Sequence, residues 1–157
     1  MTTASLRSTV KARLVTVFAD VLEGWQVSYG VPRTPLRELV VLHDVRTTDD
    51  QPAALTGATS RKPAFDDFSI EGVIGCRQIG QTAQAGEERV EVAYDLMKNA
   101  TVDPTVAGPS LQGNGTYAAI TGLLWVWLRP GDLLTDGSEQ GYESTFTFFV
   151  DCRTRLT

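Results

Sequence analysis

The sequence predicts a single α+β domain of order αβββαββ, a mostly antiparallel or mixed sheet with two helices packed on one face. Three observations carry this prediction. An apolar stripe near the start runs through Gly24 directly into Trp25-Gln-Val-Ser-Tyr29, so a helix turns at once into a strand. The next patterned segment, Glu38-Leu-Val-Val-Leu-His-Asp-Val45, is apolar on both faces and reads as a covered strand. Near the end, Phe146, Phe148, Val150 and Cys152 alternate with Thr145, Thr147, Phe149 and Asp151, the period of a strand with one apolar face.

In the first helix Leu6, Val10, Leu14, Val17 and Val21 recur at spacings of four and three, with Phe18 and Leu22 widening the stripe and Arg7, Lys11, Arg13 and Asp20 facing elsewhere. Thr3 or Ser5 is placed to cap its start, and Gly24 follows its last turn, where a left-handed backbone costs glycine least. Gly30 to Pro35 breaks the first strand. From Arg46 to Ala64 the chain is polar, small and unpatterned, which predicts a long flexible arm. Strand character returns from Phe65 to Ile79, where Gly72 signals a bulge or a close backbone approach. Thr82 to about Thr101 reads as the second helix, with Val90, Ala93, Tyr94 and Met97 on one face and Glu87 and Glu88 near its positive end. Two strands close the chain, Ala118 to Leu128 and Tyr142 to Arg155, joined by a connection from Arg129 to Gly141.

At 157 residues and 42% hydrophobic, the chain has the length of one domain, residues 1–157, and enough apolar content for a core. Its net charge of -5 disfavours nucleic-acid binding, since neutralising phosphates takes clustered Lys and Arg and the compact basic pair here is Arg61-Lys62. No apolar run of about 18 residues suggests a membrane span, and the first residues lack a secretory apolar region, so the expected site of folding is the cytoplasm. Cys76 and Cys152 fall in separate strands and are expected to be reduced, half-buried thiols.

No catalytic, cofactor or metal constellation assembles. His43 is the one histidine, and Asp44 beside it points to the opposite face of a regular strand, so a structural or interface role is the simpler reading. Asp66-Asp67 and Glu87-Glu88 have no further ligands at metal-binding spacing, and Gly113-Asn-Gly115 precedes a strand where a phosphate loop opens a helix. An enzyme is therefore not expected. Trp125 and Trp127 share a face with Leu123, opposite Leu124, Val126 and Leu128, so this strand needs two covers. The domain's own helices supply one, and a second subunit is a candidate for the other. Trp125, Trp127, Phe146 and Phe148 are thus candidate subunit-interface or core residues.

The order helix, Gly24-Trp-Gln-Val-Ser-Tyr-Gly-Val-Pro, Glu38-Leu-Val-Val-Leu-His-Asp-Val45, arm, helix ending in Asp103-Pro-Thr-Val-Ala-Gly108, and closing strand pair resembles the tail terminator proteins of long-tailed bacteriophages, lambda-like and actinobacteriophage members included. The resemblance implies a structural virion protein. It would be one subunit of a hexameric ring that caps the head-proximal end of the tail tube, stops its polymerisation and offers the surface on which the head docks. It implies as partners further copies of the chain, the tail tube protein and a head-completion protein, with genomic DNA sliding through without specific binding, and no membrane or cofactor. The expected location is the tail neck of the virion, after assembly in the host cytoplasm. Arg46, Asp49, Asp50, Leu55, Arg61 and Lys62 become a candidate assembly arm, and Asp132, Asp136 and Glu139 candidates for a lumen or docking loop. Alternatives are another head-to-tail connector, such as a head-closure or adaptor protein, and a small-molecule-binding domain with a cavity lined by the aromatic strands.

Overall fold

The computed structural model describes residues 5–48, 65–79, 82–102, 119–139 and 141–155. Its elements are α1 (Arg7–Val21), β1 (Gln26–Ser28), β2 (Glu38–Thr47), β3 (Phe65–Ile79), α2 (Ala83–Val102), β4 (Leu123–Ser138) and β5 (Gly141–Arg155), the predicted αβββαββ order. The five strands form one sheet in the order β1-β2-β3-β5-β4. β1 runs parallel to β2 and every other neighbouring pair is antiparallel.

α1 forms where the sequence stripe predicts it, burying Val10, Leu14, Val17 and Phe18 against the sheet. Leu6 occupies the N-cap position and has no polar side chain to cap with, but the predicted Ser5 contact is present, Ser5 Oγ accepting from the Arg7 amide at 3.3 Å; Thr3 lies outside the described residues. The helix start is held further by Arg7, whose guanidinium donates to both carboxylate oxygens of Asp66 at 2.9 and 2.7 Å and to Thr47 Oγ1 at 2.9 Å. Gly24 has φ of 82°, which lets the chain leave α1 and enter β1 directly. Lys11 does not face solvent as its sequence position suggests. It is buried, with Nζ 4.1 Å from the centre of the Tyr29 ring, because a long aliphatic stem can cover apolar surface while the ammonium rests on an aromatic face.

α2 buries Val90, Ala93, Tyr94, Met97 and Ala100 on the same side of the sheet, so both helices share one face. Between helices and sheet lie Val40 and Leu42 of β2, Phe68, Ile70 and Ile74 of β3, Val126 and Leu128 of β4, and Phe146, Phe148 and Val150 of β5. β3 pairs with β5 in unbroken register from Phe65 opposite Arg155 to Ile79 opposite Gly141, and the irregularity that begins at the Leu42–Gly72 pair puts its extra residue in β2, between Leu42 and Val45, and not at Gly72 itself. Gly72 is the close approach: a β-carbon there would sit 2.2 Å from Cζ of Phe148.

Three expectations are corrected. The predicted arm begins too early, because Arg46 and Thr47 pair with Ser69 and Phe68 inside β2. β4 does not stop at Leu128. It continues to Ser138, absorbing Pro130-Gly131-Asp132 in an irregularity between Pro130 and Leu133, so the expected connection from Arg129 to Gly141 is mostly strand. A β-carbon at Gly131 would lie 2.7 Å from the Thr147 carbonyl oxygen, which is why glycine lets the chain pass there. Finally, a bulge between Leu123 and Trp125 shifts the alternation, so Leu123 packs on the core side and Leu124 is exposed.

Cys76 and Cys152 are both buried thiols, more deeply placed than the half-buried state expected from sequence. Cys152 pairs in register with Phe68, eight positions along β3 from Cys76. At about 3.3 Å per residue they are roughly 26 Å apart, far beyond disulfide reach.

Candidate assembly surface

With both helices on one side, the opposite face of the sheet has no covering element among the described residues. The register fixes what lies on it. Trp125 pairs with Arg153 and Trp127 with Asp151; Arg129 pairs with Phe149, Leu134 with Thr145, and Asp136 with Glu143. On the inner strands the same face carries Asp67, Glu71, Val73 and Arg77 of β3. Trp125 is 40%, Trp127 58% and Leu134 61% exposed, large apolar side chains that a monomer leaves in water.

The charges on this face are tied to one another and to the rings. Arg153 donates from Nε to Asp67 Oδ1 at 2.7 Å and from Nη2 to Asp67 Oδ2 at 2.9 Å. Its guanidinium lies 5.3 Å from the Phe65 ring centre and 5.9 Å from that of Trp125. Arg129 donates to Asp151 at 3.0 Å and stacks 4.4 Å over Phe149. The hydrogen bond to Asp151, opposed by partial desolvation, keeps the Arg129 pKa above its ordinary value. Among the described residues Arg46 makes long ion-pair contacts, 3.9 Å to the exposed Asp44 and 4.0 Å to the partly buried Glu71. The result is an aromatic surface threaded with neutralised ion pairs.

The sequence candidates separate accordingly. Trp125 and Trp127 are on the uncovered face, whereas Phe146 and Phe148 are in the core under α2. These four aromatics lie on two sides of one sheet, so they do not line a common cavity. Asp132 sits in the β4 irregularity, Asp136 within β4 and Glu139 in the turn to β5, all exposed. Asp49, Asp50, Leu55, Arg61 and Lys62 lie outside the described residues. Sequence reading missed Phe149, Asp151 and Arg153 as members of this surface. β5 alternation does place them on one face, but their partners come from distant strands.

His43 lies half-buried in the irregularity between Leu42 and Val45, where regular alternation fails. Among the described residues no group of three His, Cys, Asp or Glu side chains is positioned to hold a metal ion. A shallow concavity of about 590 Å³ lies on the outer side of α1, lined by Ser8, Thr9, Ala12, Arg13, Thr16 and Tyr29. Among the described residues no helix is long and apolar enough to cross a membrane. Comparison of the sequence with models of known protein families and with curated proteins finds no match.

Proposed function

We propose that this chain is a structural subunit of a hexameric ring of the tail-terminator kind, capping the head-proximal end of a phage tail tube and presenting the docking surface for the head. The observation that carries the reading is the sheet face that no helix among the described residues covers, with Trp125, Trp127 and Leu134 exposed, a surface suited to burial against a neighbouring protein. The resemblance of the sequence to the terminators supplies the particular assembly. In this reading the neighbours are further copies of the chain, the tube protein and a head-completion protein, and the site of action is the neck of the virion. No reaction or cofactor is required. The net charge of -5 suits a ring through which DNA slides without adhering. Other neck proteins share these demands, and the position of the chain in isolated particles separates them.

Native mass spectrometry over a concentration series, with and without a tail tube of matching origin, tests the reading. The expected result is a hexamer, formed by the free protein or on the tube end, that weakens in a Trp127→Ala variant with an unchanged melting temperature. A protein that stays monomeric in both settings removes it. Binding of an apolar small molecule by the monomer, lost on substitution in the core, would favour the ligand-binding alternative instead.

A further inference from the structure

Two surfaces at opposite edges of the sheet carry opposite charge around exposed apolar side chains. At the β1 edge, the connection from Tyr29 to Arg37 displays Val31 and Leu36, 77% and 55% exposed, together with the exposed Arg33 and Arg37. At the β4 edge, the end of the β4–β5 hairpin displays Leu134 and Tyr142 together with Asp132, Asp136, Glu139 and Glu143. None of these six charged side chains makes an ion pair among the described residues.

The two surfaces are level along the strands. Arg77 pairs with Glu143 and Glu143 with Asp136, while the Arg77 amide donates to the Arg37 carbonyl at 2.8 Å. One row across the sheet therefore runs Arg37, Arg77, Glu143, Asp136, positive at one edge and negative at the other. The basic connection is also held in shape. Gln26 of edge strand β1 donates from Nε2 to the Thr34 carbonyl at 3.3 Å and accepts from the Leu36 amide at 2.8 Å, and Ser28 Oγ donates to the Gly30 carbonyl. Pro32 and Pro35 restrict the backbone further, so little ordering remains to be done on contact.

We propose that copies of this chain associate head to tail, the acidic hairpin end of one subunit seated on the basic connection of the next, with Leu134 and Leu36 at the centre of the contact. This deepens the ring reading and rests on it. The occupant is a second copy because each surface supplies what the other lacks, and because a contact between different patches on opposite edges propagates around a closed ring. Pro130 and the irregularities beside it interrupt the outer edge of β4, so the contact is made by side chains and not by extending the sheet.

The test uses two charge-reversed proteins, D136K/E139K and R33E/R37E, each checked for an unchanged melting temperature and followed by sedimentation velocity at low salt. Each alone places like charges in the contact and is expected to weaken association about a hundredfold. Mixed in equal amounts they regain complementary contacts in strict alternation, so the expected product is a hexamer with three copies of each. Wild-type association is expected to weaken as ionic strength rises. A wild-type hexamer that both reversed proteins also form unchanged overturns this contact and leaves the ring standing. Failure of the mixture to reassemble also overturns the contact. A wild-type protein that is monomeric at low salt and high concentration overturns the contact together with any ring formed by the free protein.

Discussion

Replacing Gly72 by alanine puts the packing of the sheet against the helices to a quantitative test. In an ordinary strand this change stabilises by about 0.5–1 kcal/mol, because glycine loses more backbone freedom on folding. Here the new β-carbon would lie 2.2, 2.6 and 2.7 Å from Cζ, Cε1 and Cε2 of Phe148. Carbon atoms rest at about 3.5–4.0 Å, so the ring must retreat by roughly 1.5 Å. It has nowhere open to go: Phe148 is fully buried, with its ring centre 6.2 Å from that of Phe18 and 6.5 Å from that of Tyr94.

Overpacking of this kind costs about 1–3 kcal/mol, occasionally more, and the size of the overlap points to the upper part of that range. Net of the backbone gain, Gly72→Ala is expected to lose about 2 kcal/mol. For a chain of this length that lowers the melting temperature by roughly 4–8 °C. The assay is urea unfolding at neutral pH, with the slope of the transition compared to confirm that the unfolded state is unchanged. The second arm is Phe148→Leu, which removes the atoms in the way. In the double variant the methyl group enters vacated space, so the two changes together should cost at least about 1 kcal/mol less than their sum. An alanine variant as stable as wild type, or strict additivity in the cycle, would refute the close approach as the reason for glycine.

Asp66→Ala removes the two-point bond that anchors the start of α1 to β3, and, with the carboxylate only 13% exposed, should cost about 1–2 kcal/mol; urea unfolding checks this, and a loss under about 0.3 kcal/mol would mean that the helix is held by apolar packing alone. Burial holds the Cys152 thiol well above its ordinary range, and desolvation shifts Cys76 and Tyr94 the same way. The unfolded thiol ionises near pH ~8.5 while the folded one stays protonated, so stability is complete below that pH and falls as pH rises through it, by up to about 1.4 kcal/mol per unit per thiol. Unfolding free energies from pH 7 to 10 should show this decline and a shallower one in Cys152→Ala; equal slopes would contradict it.

The parts of the fold legible in the sequence are those set by local periodicity under one cover. α1, α2 and β5 each bury one side, so Leu14, Met97 and Phe148 could be assigned from spacing alone. β4 was not legible beyond Leu128, because Pro130 and Gly131 signal a turn in isolation. At a sheet edge the missing amide of proline goes unclaimed and the glycine slips past the Thr147 carbonyl, so the strand continues. The parallel pairing of β1 was hidden for a related reason, since direction depends on how the Tyr29–Arg37 connection folds back over Gln26. Trp125 and Trp127 were legible as interface candidates. Their companions were not, because the bulge at Leu124 breaks the parity of β4 and the ion pair between Asp67 and Arg153 joins residues 86 apart in the chain.

If the proposed ring buries the uncovered face, the pairing of charges there lets the surface be wet in the free subunit and dry once docked. Arg129 and Asp151 are partly exposed, so in the monomer their bond contributes under about 1 kcal/mol, and Asp151→Ala should scarcely change the unfolding midpoint. Covering the face changes the balance. With Asp151 present, Arg129 enters the interface already paired and already stacked on Phe149, and only a neutral unit is desolvated. With Asp151 removed, docking would bury an unpaired guanidinium, a penalty of about 2–5 kcal/mol, or roughly thirty- to several-thousand-fold in affinity. Asp151→Ala is thus expected to separate folding from assembly: a nearly unchanged urea transition, and loss of the oligomer in sedimentation at concentrations where the wild type assembles. Equal assembly by both proteins would show that this end of the face stays in water in the complex, and would move the buried contact toward the opposite end of β4.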